Sequence, residues 1–179
     1  ENLERVRNEI LGLSYEPGEY RYFKVYEPKE RQIMALPFYD RVVQHAINNV
    51  LEPIFEKRFI FHSYACRKNK GMHAASDTLK SWLYEWQRFH PDMPLYAIKA
   101  DIHHYFQSIN HNLLKAEIRK VIKDAGALAL IDKIIEHNGQ MPDGTGIPVG
   151  NLTSQLFANI YLDKLDKYIK HTLGAEKYE

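Results

Sequence analysis

The chain has 179 residues, of which 45% are apolar and 26% charged, with a formal net charge of +1 at neutral pH. That length suits one ordinary domain or two small lobes sharing a boundary, and it can bury a core. No apolar run approaches a bilayer-spanning length and no signal-peptide pattern opens the chain, which predicts a soluble, cytoplasmic protein without a membrane partner. The single cysteine, Cys66, excludes an internal disulfide and a cysteine-rich zinc site and fits a reducing compartment.

In chain order, Leu3, Val6, Ile10 and Leu13 recur at helical spacing and predict a short amphipathic helix ending near Gly12. The stretch "YRYFKVYEPKERQIMALP" alternates aromatic and polar residues, turns at "EPKE" and resumes with Ile33 and Leu36, the pattern of a basic hairpin. From Tyr39 to about Lys57, Val42, Val43, Ala46, Ile47, Val50, Leu51 and Ile54 form a helical stripe, which Pro53 is expected to kink or end. "FIFHSYACRKNKG" reads as extended chain entering a basic loop, and a long helix over Met72–Phe89 is stopped by "HPDMP".

"LYAIKAD" alternates and is short, so it predicts a strand ending at Asp101. Helices are expected at about Asn112–Ile122 and Ala127–His137. They are followed by the turn-rich "GQMPDGTGIPVGN" and a final helix, "LTSQLFANIYLDKLDKYIKHTLG", that Gly174 would stop. Isolated strands among helices, without regular βαβ alternation, make this an α+β pattern.

The charges are unevenly spread. Residues 20–90 hold twelve lysines and arginines against seven acids, a net +5, leaving −4 for the remainder. A basic amino-terminal lobe on a more acidic portion suits a protein that grips polyanion with one part and metal with the other; solvated helix faces are the plainer reading.

Two stretches could carry chemistry. Asp101 at the end of an apolar run could project into a cleft and, with a nearby backbone carbonyl, hold a hard cation such as Mg²⁺; it could equally cap the strand. His103 and His104 are adjacent, so their side chains diverge, and no second cluster completes a metal shell. In "GIPVGNLTSQLFANIYL", small residues at a helix start let backbone approach a phosphate, or simply cap the helix through Asn151, Thr153 or Ser154.

The blocks "RQIMALPFYDRVVQHAINNVLEPIFEKRFIFHSYACRKNKGMHAA", "YAIKADIHHYFQSINH" and "GIPVGNLTSQLFANIYLDKLD", in this order, resemble the reverse transcriptases of bacterial retroelements. The resemblance covers most of Lys29–Asp166. It implies a right-hand polymerase fold, helix-rich with a basic hairpin and a short palm sheet, residues 1–94 forming the fingers region and 95–179 part of the palm with the fingers–palm helices. Val149, Gly150, Ser154 and Gln155 stand where intron and retroviral enzymes usually carry glutamine before the glycine and proline after the serine. That wording, with "SYACR" and "GNLTSQ", is similar to the diversity-generating retroelement type; group II intron-like and defence-associated enzymes share parts of it.

The resemblance implies roles. Asp101 would bind two catalytic Mg²⁺ ions, with Ile102 offering its backbone carbonyl. Phe106 would lie under the deoxyribose and exclude a 2′-hydroxyl, or else pack in the core, with Tyr105 as the alternative if the register slips by one. Lys29 and Arg31 would reach the triphosphate, Val149, Gly150 and Gln155 would border the incoming nucleotide, and Arg67, Lys68 and Lys70 would hold nucleic-acid or nucleotide phosphate, or else be solvated.

Asp101, Phe106 and the Val149–Gly150 turn should line one open hollow. Template RNA, primer and deoxynucleoside triphosphates are the implied partners, with a small basic accessory protein by analogy. The family's tyrosine-x-Asp-Asp box and the thumb are not reached in this sequence, and Asp163 and Asp166, on a helix matched to an earlier block, do not replace them. The chain is therefore expected to be a polymerase fragment, inactive as it stands. Two readings compete: an RNA-binding fingers module of a maturase-like or defence-associated enzyme, and a template-independent nucleotidyl transferase.

Overall fold

The computed structural model describes residues 2–26, 30–139 and 141–179. Its elements run α1 (Asn2–Leu11), β1 (Arg21–Tyr26), β2 (Glu30–Ala35), α2 (Phe38–Glu56), α3 (Met72–Phe89), α4 (Tyr105–Ser108), α5 (His111–Val121), α6 (Ala125–Glu136) and α7 (Leu152–Lys167), followed by a π-helical turn over Tyr168–Thr172. This is the expected helix-rich α+β pattern.

The core forms because α7 is apolar around most of its girth in its first three turns. Leu156, Phe157, Ala158 and Ile160 are buried there, as a helix central to its neighbours requires. It packs on α2 and α5. Leu51 and Phe55 of α2, Leu114 and Ile118 of α5, and Ile131, Ile134 and Ile135 of α6 join it in one cluster with Ile109 and Ile147. Two of the helices begin on side-chain caps: Asn110 accepts from Leu113 N at 3.0 Å and Asp124 from Ala127 N at 2.7 Å.

Pro53 does not end α2, which continues to Glu56. Its missing N–H would have bonded Asn49, and both residues lie on the exposed side where water can satisfy the freed carbonyl. The antiparallel hairpin pairs Arg21 with Ala35 through to Tyr26 with Glu30. Lys29, at its expected turn, lies outside the described residues.

The strand expected at 95–101 is not formed. Residues 94–102 carry no regular secondary structure, and Tyr96 and Ile98 are 86% and 98% exposed. Alternation alone does not make a strand: backbone groups need a paired neighbour, and among the described residues none runs alongside. The short palm sheet is accordingly absent from the described residues, whose one sheet is the hairpin.

Tyrosines, Tyr15 buried and Tyr20 and Tyr105 half-buried, tie the hairpin base, the α1–β1 connection and α4 to the helical core. The Tyr15 hydroxyl donates to Asp40 Oδ1 at 2.7 Å, and Tyr20 donates to the His137 carbonyl at 2.8 Å while stacking on its ring at 4.6 Å. Tyr105 donates to the Ala158 carbonyl at 2.7 Å. Burial pushes all three phenols well above their usual range, aided at Tyr15 by Asp40 and opposed at Tyr20 by the hydrogen bond from Asn151. The folded chain thus keeps protons that the unfolded chain releases near pH 10, so this stabilisation is complete below about pH 10 and falls as pH rises further. The melting midpoint should hold level to about pH 9 and drop steeply above it, with phenolate absorbance of these three appearing only on unfolding. A level midpoint through about pH 11 would contradict this account.

Candidate functional site

The segment from Gly144 to Asn151 is stitched to three parts of the chain. His111 donates from its backbone N to Gly144 at 3.0 Å and from Nε2 to the Gly146 carbonyl at 2.7 Å, which fixes the loop against the start of α5. Gly146 N donates to Ile109 at 2.8 Å and Ile147 N to Phe106 at 2.9 Å, so the loop also runs beside α4. On its far side Val149 accepts from Met34 N of β2 at 3.3 Å, and Asn151 Nδ2 donates to the Tyr20 hydroxyl at 2.9 Å.

Gly150 is needed there. Its φ is +116°, a conformation strained for any side-chain-bearing residue, and a Cβ on it would crowd the Met34 carbonyl oxygen at 3.1 Å. The loop therefore touches Phe106 at one point and brings Val149 and Gly150 to β2, the strand that carries Arg31. Phe106 is half-buried against the core with its ring edge-on to Tyr105, whose hydroxyl is engaged on α7.

Asp101 and Ile102 are exposed in the irregular segment leading into α4. Asp101 has no hydrogen bond or ion pair among the described residues, so its carboxylate is free to accept a cation or a donor. The donors near it do not make a metal pair: no group of three or more His, Cys, Asp or Glu suited to a metal occurs among the described residues. One carboxylate and the Ile102 carbonyl are less than a two-cation centre requires.

Asp163 and Asp166 are engaged elsewhere, Asp163 with Lys167 and Asp166 as acceptor from the Tyr178 hydroxyl at 2.6 Å. Burial raises the Asp166 carboxyl above the usual range, against the lowering effect of Tyr178. His103 and His104 pack ring against ring at 3.8 Å.

Arg67, expected to hold phosphate, is turned inward in this structure. Its side chain is only 6% exposed; Nε and Nη2 bond Glu56 at 2.9 and 2.6 Å, and Nη1 donates to the carbonyls of Ile60 and Ser63 at 2.8 and 2.6 Å. With most donors spent on these acceptors it is an internal strut that folds the 59–68 segment onto α2. Lys70 is partly turned inward as well, donating to the Phe61 carbonyl at 2.7 Å and lying over the Phe61 ring; burial first, then Arg67, holds its ammonium below the usual lysine range. Burial and then Lys170, Lys70 and Lys177 likewise hold His62 below its usual range, which marks a basic corner beside α3. Lys68 is exposed, with no ion pair among the described residues.

A cleft of about 370 Å³ opens between α2, the 59–68 segment and the first turns of α7. Gln155 and Lys68 border it together with Glu52, Asn48 and Asn159, none of which the sequence singled out. The signal was available: Asn48, Glu52 and Glu56 recur every four residues and form a polar stripe beside the apolar face of α2. The shared hollow expected for Asp101, Phe106 and Val149 is not this cleft.

The chain is similar to known proteins over nearly its whole length. It is 32% identical over 177 residues to Protein YkfC of Escherichia coli, covering 93% of this chain and 45% of that protein. It is 29% identical over 177 residues to the group II intron-encoded protein LtrA of Lactococcus lactis, covering 94% and 28%, and 29% identical over 165 residues to a putative COX1/OXI3 intron 2 protein of Saccharomyces cerevisiae, covering 89% and 17%. The chain thus spans less than half the length of these relatives. A family model described as reverse transcriptase (RNA-dependent DNA polymerase) matches residues 24–178, a span that takes in most of the hairpin, the Asp101 segment, the Gly144–Asn151 loop and α7, and the chain belongs to that family.

Proposed function

We propose that the chain is the fingers region (1–94) and part of the palm (95–179) of an RNA-directed DNA polymerase whose full-length parent copies template RNA into cDNA. The observation that carries this is the Gly144–Asn151 loop, hydrogen-bonded at once to Phe106 and to β2, with the free carboxylate of Asp101 five residues ahead of Phe106. In the parent, a primer 3′-oxygen would attack the α-phosphorus of a deoxynucleoside triphosphate, forming the new phosphodiester and releasing pyrophosphate. Lys29 and Arg31 would grip the triphosphate, Val149 and Gly150 would border the base pair, and Phe106 would lie against the sugar. Magnesium is the cofactor expected for such chemistry; Asp101 and the Ile102 carbonyl would be this chain's share of a centre completed by residues outside it.

Template RNA, primer and deoxynucleotides are the proposed partners, with a basic accessory protein by analogy and a cytoplasmic location. No helix among the described residues is long and apolar enough to cross a membrane. Val149–Gly150 and Ser154–Gln155 support the diversity-generating type, whereas the intron-encoded relatives favour a group II intron-like enzyme, whose fingers could act as an RNA-binding module. The test is extension of a labelled DNA primer on an RNA template by the parent protein. Template-dependent products are expected; addition without template would assign a terminal transferase, and RNA binding without synthesis would assign the binding module.

A further inference from the structure

We propose that the hydrogen bond between Tyr20 and Asn151 sets where Arg31 stands relative to the Val149–Gly150 turn, which makes these two side chains positioning residues for the incoming deoxynucleoside triphosphate. This rests on the polymerase reading above and deepens it. Arg31 and the turn come from distant parts of the chain, and a shared nucleotide needs them held in one geometry.

The hairpin is built to pivot. β1 is exposed along its whole length, and a two-stranded ribbon has little stability of its own. Its hold on the body lies at its base, where Met34 N donates to the Val149 carbonyl at 3.3 Å, Gly150 lies against Met34 and Ile33, and Tyr22 and Met34 close on Gly139. Arg31 is three residues beyond Met34 towards the tip, roughly 10 Å farther out at the rise of a strand. A small tilt at the base is therefore a larger displacement at Arg31.

Tyr20, the residue before β1, governs that tilt. Its hydroxyl accepts from Asn151 Nδ2 at 2.9 Å and donates to the His137 carbonyl at 2.8 Å, so it is used in both of its roles. The ring stacks on His137 at 4.6 Å, and His137 Nε2 donates to the Gly18 carbonyl at 2.9 Å, which fixes the chain just ahead of Tyr20. The base of the hairpin is thus held between the end of α6 and the start of α7.

Asn151 sets this bond apart from ordinary packing. It is the N-cap residue of α7 and only 6% exposed, yet its side chain makes no hydrogen bond to the first turn of that helix. Asparagine at such a position ordinarily accepts from one of the unpaired N–H groups there, as Asn110 does at α5 and Asp124 at α6. Asn151 instead directs its amide to Tyr20, beside the two residues proposed to border the base pair.

The experiment is steady-state extension of a DNA primer on an RNA template by the full-length parent, with KM for the deoxynucleotide and kcat measured separately below the melting range. Tyr20→Phe should raise KM about fivefold, the worth of one net hydrogen bond, and keep kcat within about twofold. Asn151→Ser should act in the same direction, since serine caps a helix as well as asparagine but is too short to reach the tyrosine. The double variant should match Tyr20→Phe, and in an Arg31→Ala background both changes should raise KM by less than about twofold, because the group they position is gone.

A lower melting midpoint with KM unchanged would make the pair a structural tie and overturn the inference. So would a loss confined to kcat, effects that add in the double variant, or a full KM effect that persists without Arg31. Should Tyr20→Phe fail to fold, Asn151→Ser decides on the same KM criterion. A wild-type parent that makes no template-dependent product removes the polymerase reading and the inference with it, whereas unchanged KM in an active parent removes the inference alone.

Discussion

Asp101→Asn, made in the full-length parent, should reduce RNA-templated extension by at least about a thousandfold while moving the melting midpoint by no more than about 1–2 °C. The two halves of this expectation come from the same observation. Asp101 is exposed and has no hydrogen bond or ion pair among the described residues, so replacing its carboxylate by an isosteric amide removes nothing that holds the fold, and such surface changes stay within about 0.5 kcal/mol. A carboxylate left without a partner at the entry to α4 is what the proposed role requires and is not what holds the fold together.

Loss of an anionic cation ligand at a phosphoryl-transfer centre removes several kcal/mol of transition-state stabilisation, and about 4 kcal/mol is a thousandfold in rate. Extension within tenfold of wild type would deny Asp101 its proposed role. A large fall in melting midpoint would instead mark it as a structural cap, the alternative that its place at the end of an apolar run left open.

Much of the fold could be read from periodicity. The helix over Met72–Phe89 and the hairpin flanking "EPKE" follow from apolar spacing and the turn or breaker residues around them, all local properties. The strand at 95–101 had the right alternation and failed because pairing is not local: "LYAIKAD" does not contain its partner. Legibility of the site divides the same way. The closeness of Val149 and Gly150 to β2 was implied only through the family resemblance, since residues more than a hundred positions apart meet there through one backbone hydrogen bond. The cleft was hidden because Asn48, Glu52 and Asn159 meet only when α2 and α7 are side by side. The inward turn of Arg67 was not legible because a basic loop announces charge and not direction, and the carbonyls of Ile60 and Ser63 that it bonds depend on the path of the loop.

That inward turn makes Arg67→Ala the most damaging single change to the fold among those considered. It removes a guanidinium that satisfies two backbone carbonyls and bonds Glu56 through two nitrogens. Breaking a buried pair costs about 3–5 kcal/mol, and because Glu56 is 38% exposed and can rehydrate, the lower end applies. For a domain of this size a loss of about 3 kcal/mol lowers the melting midpoint by roughly 6–12 °C. Arg67→Lys should recover less than half of it, since one ammonium on a flexible stem cannot serve the carboxylate and both carbonyls in the geometry that a planar fork provides. Measured below its melting range, the alanine variant should bind RNA with the salt dependence of the wild type, because no phosphate contact has been lost. A variant that melts like wild type but binds RNA with a salt slope smaller by about one would reverse the assignment and restore Arg67 to the nucleic-acid surface.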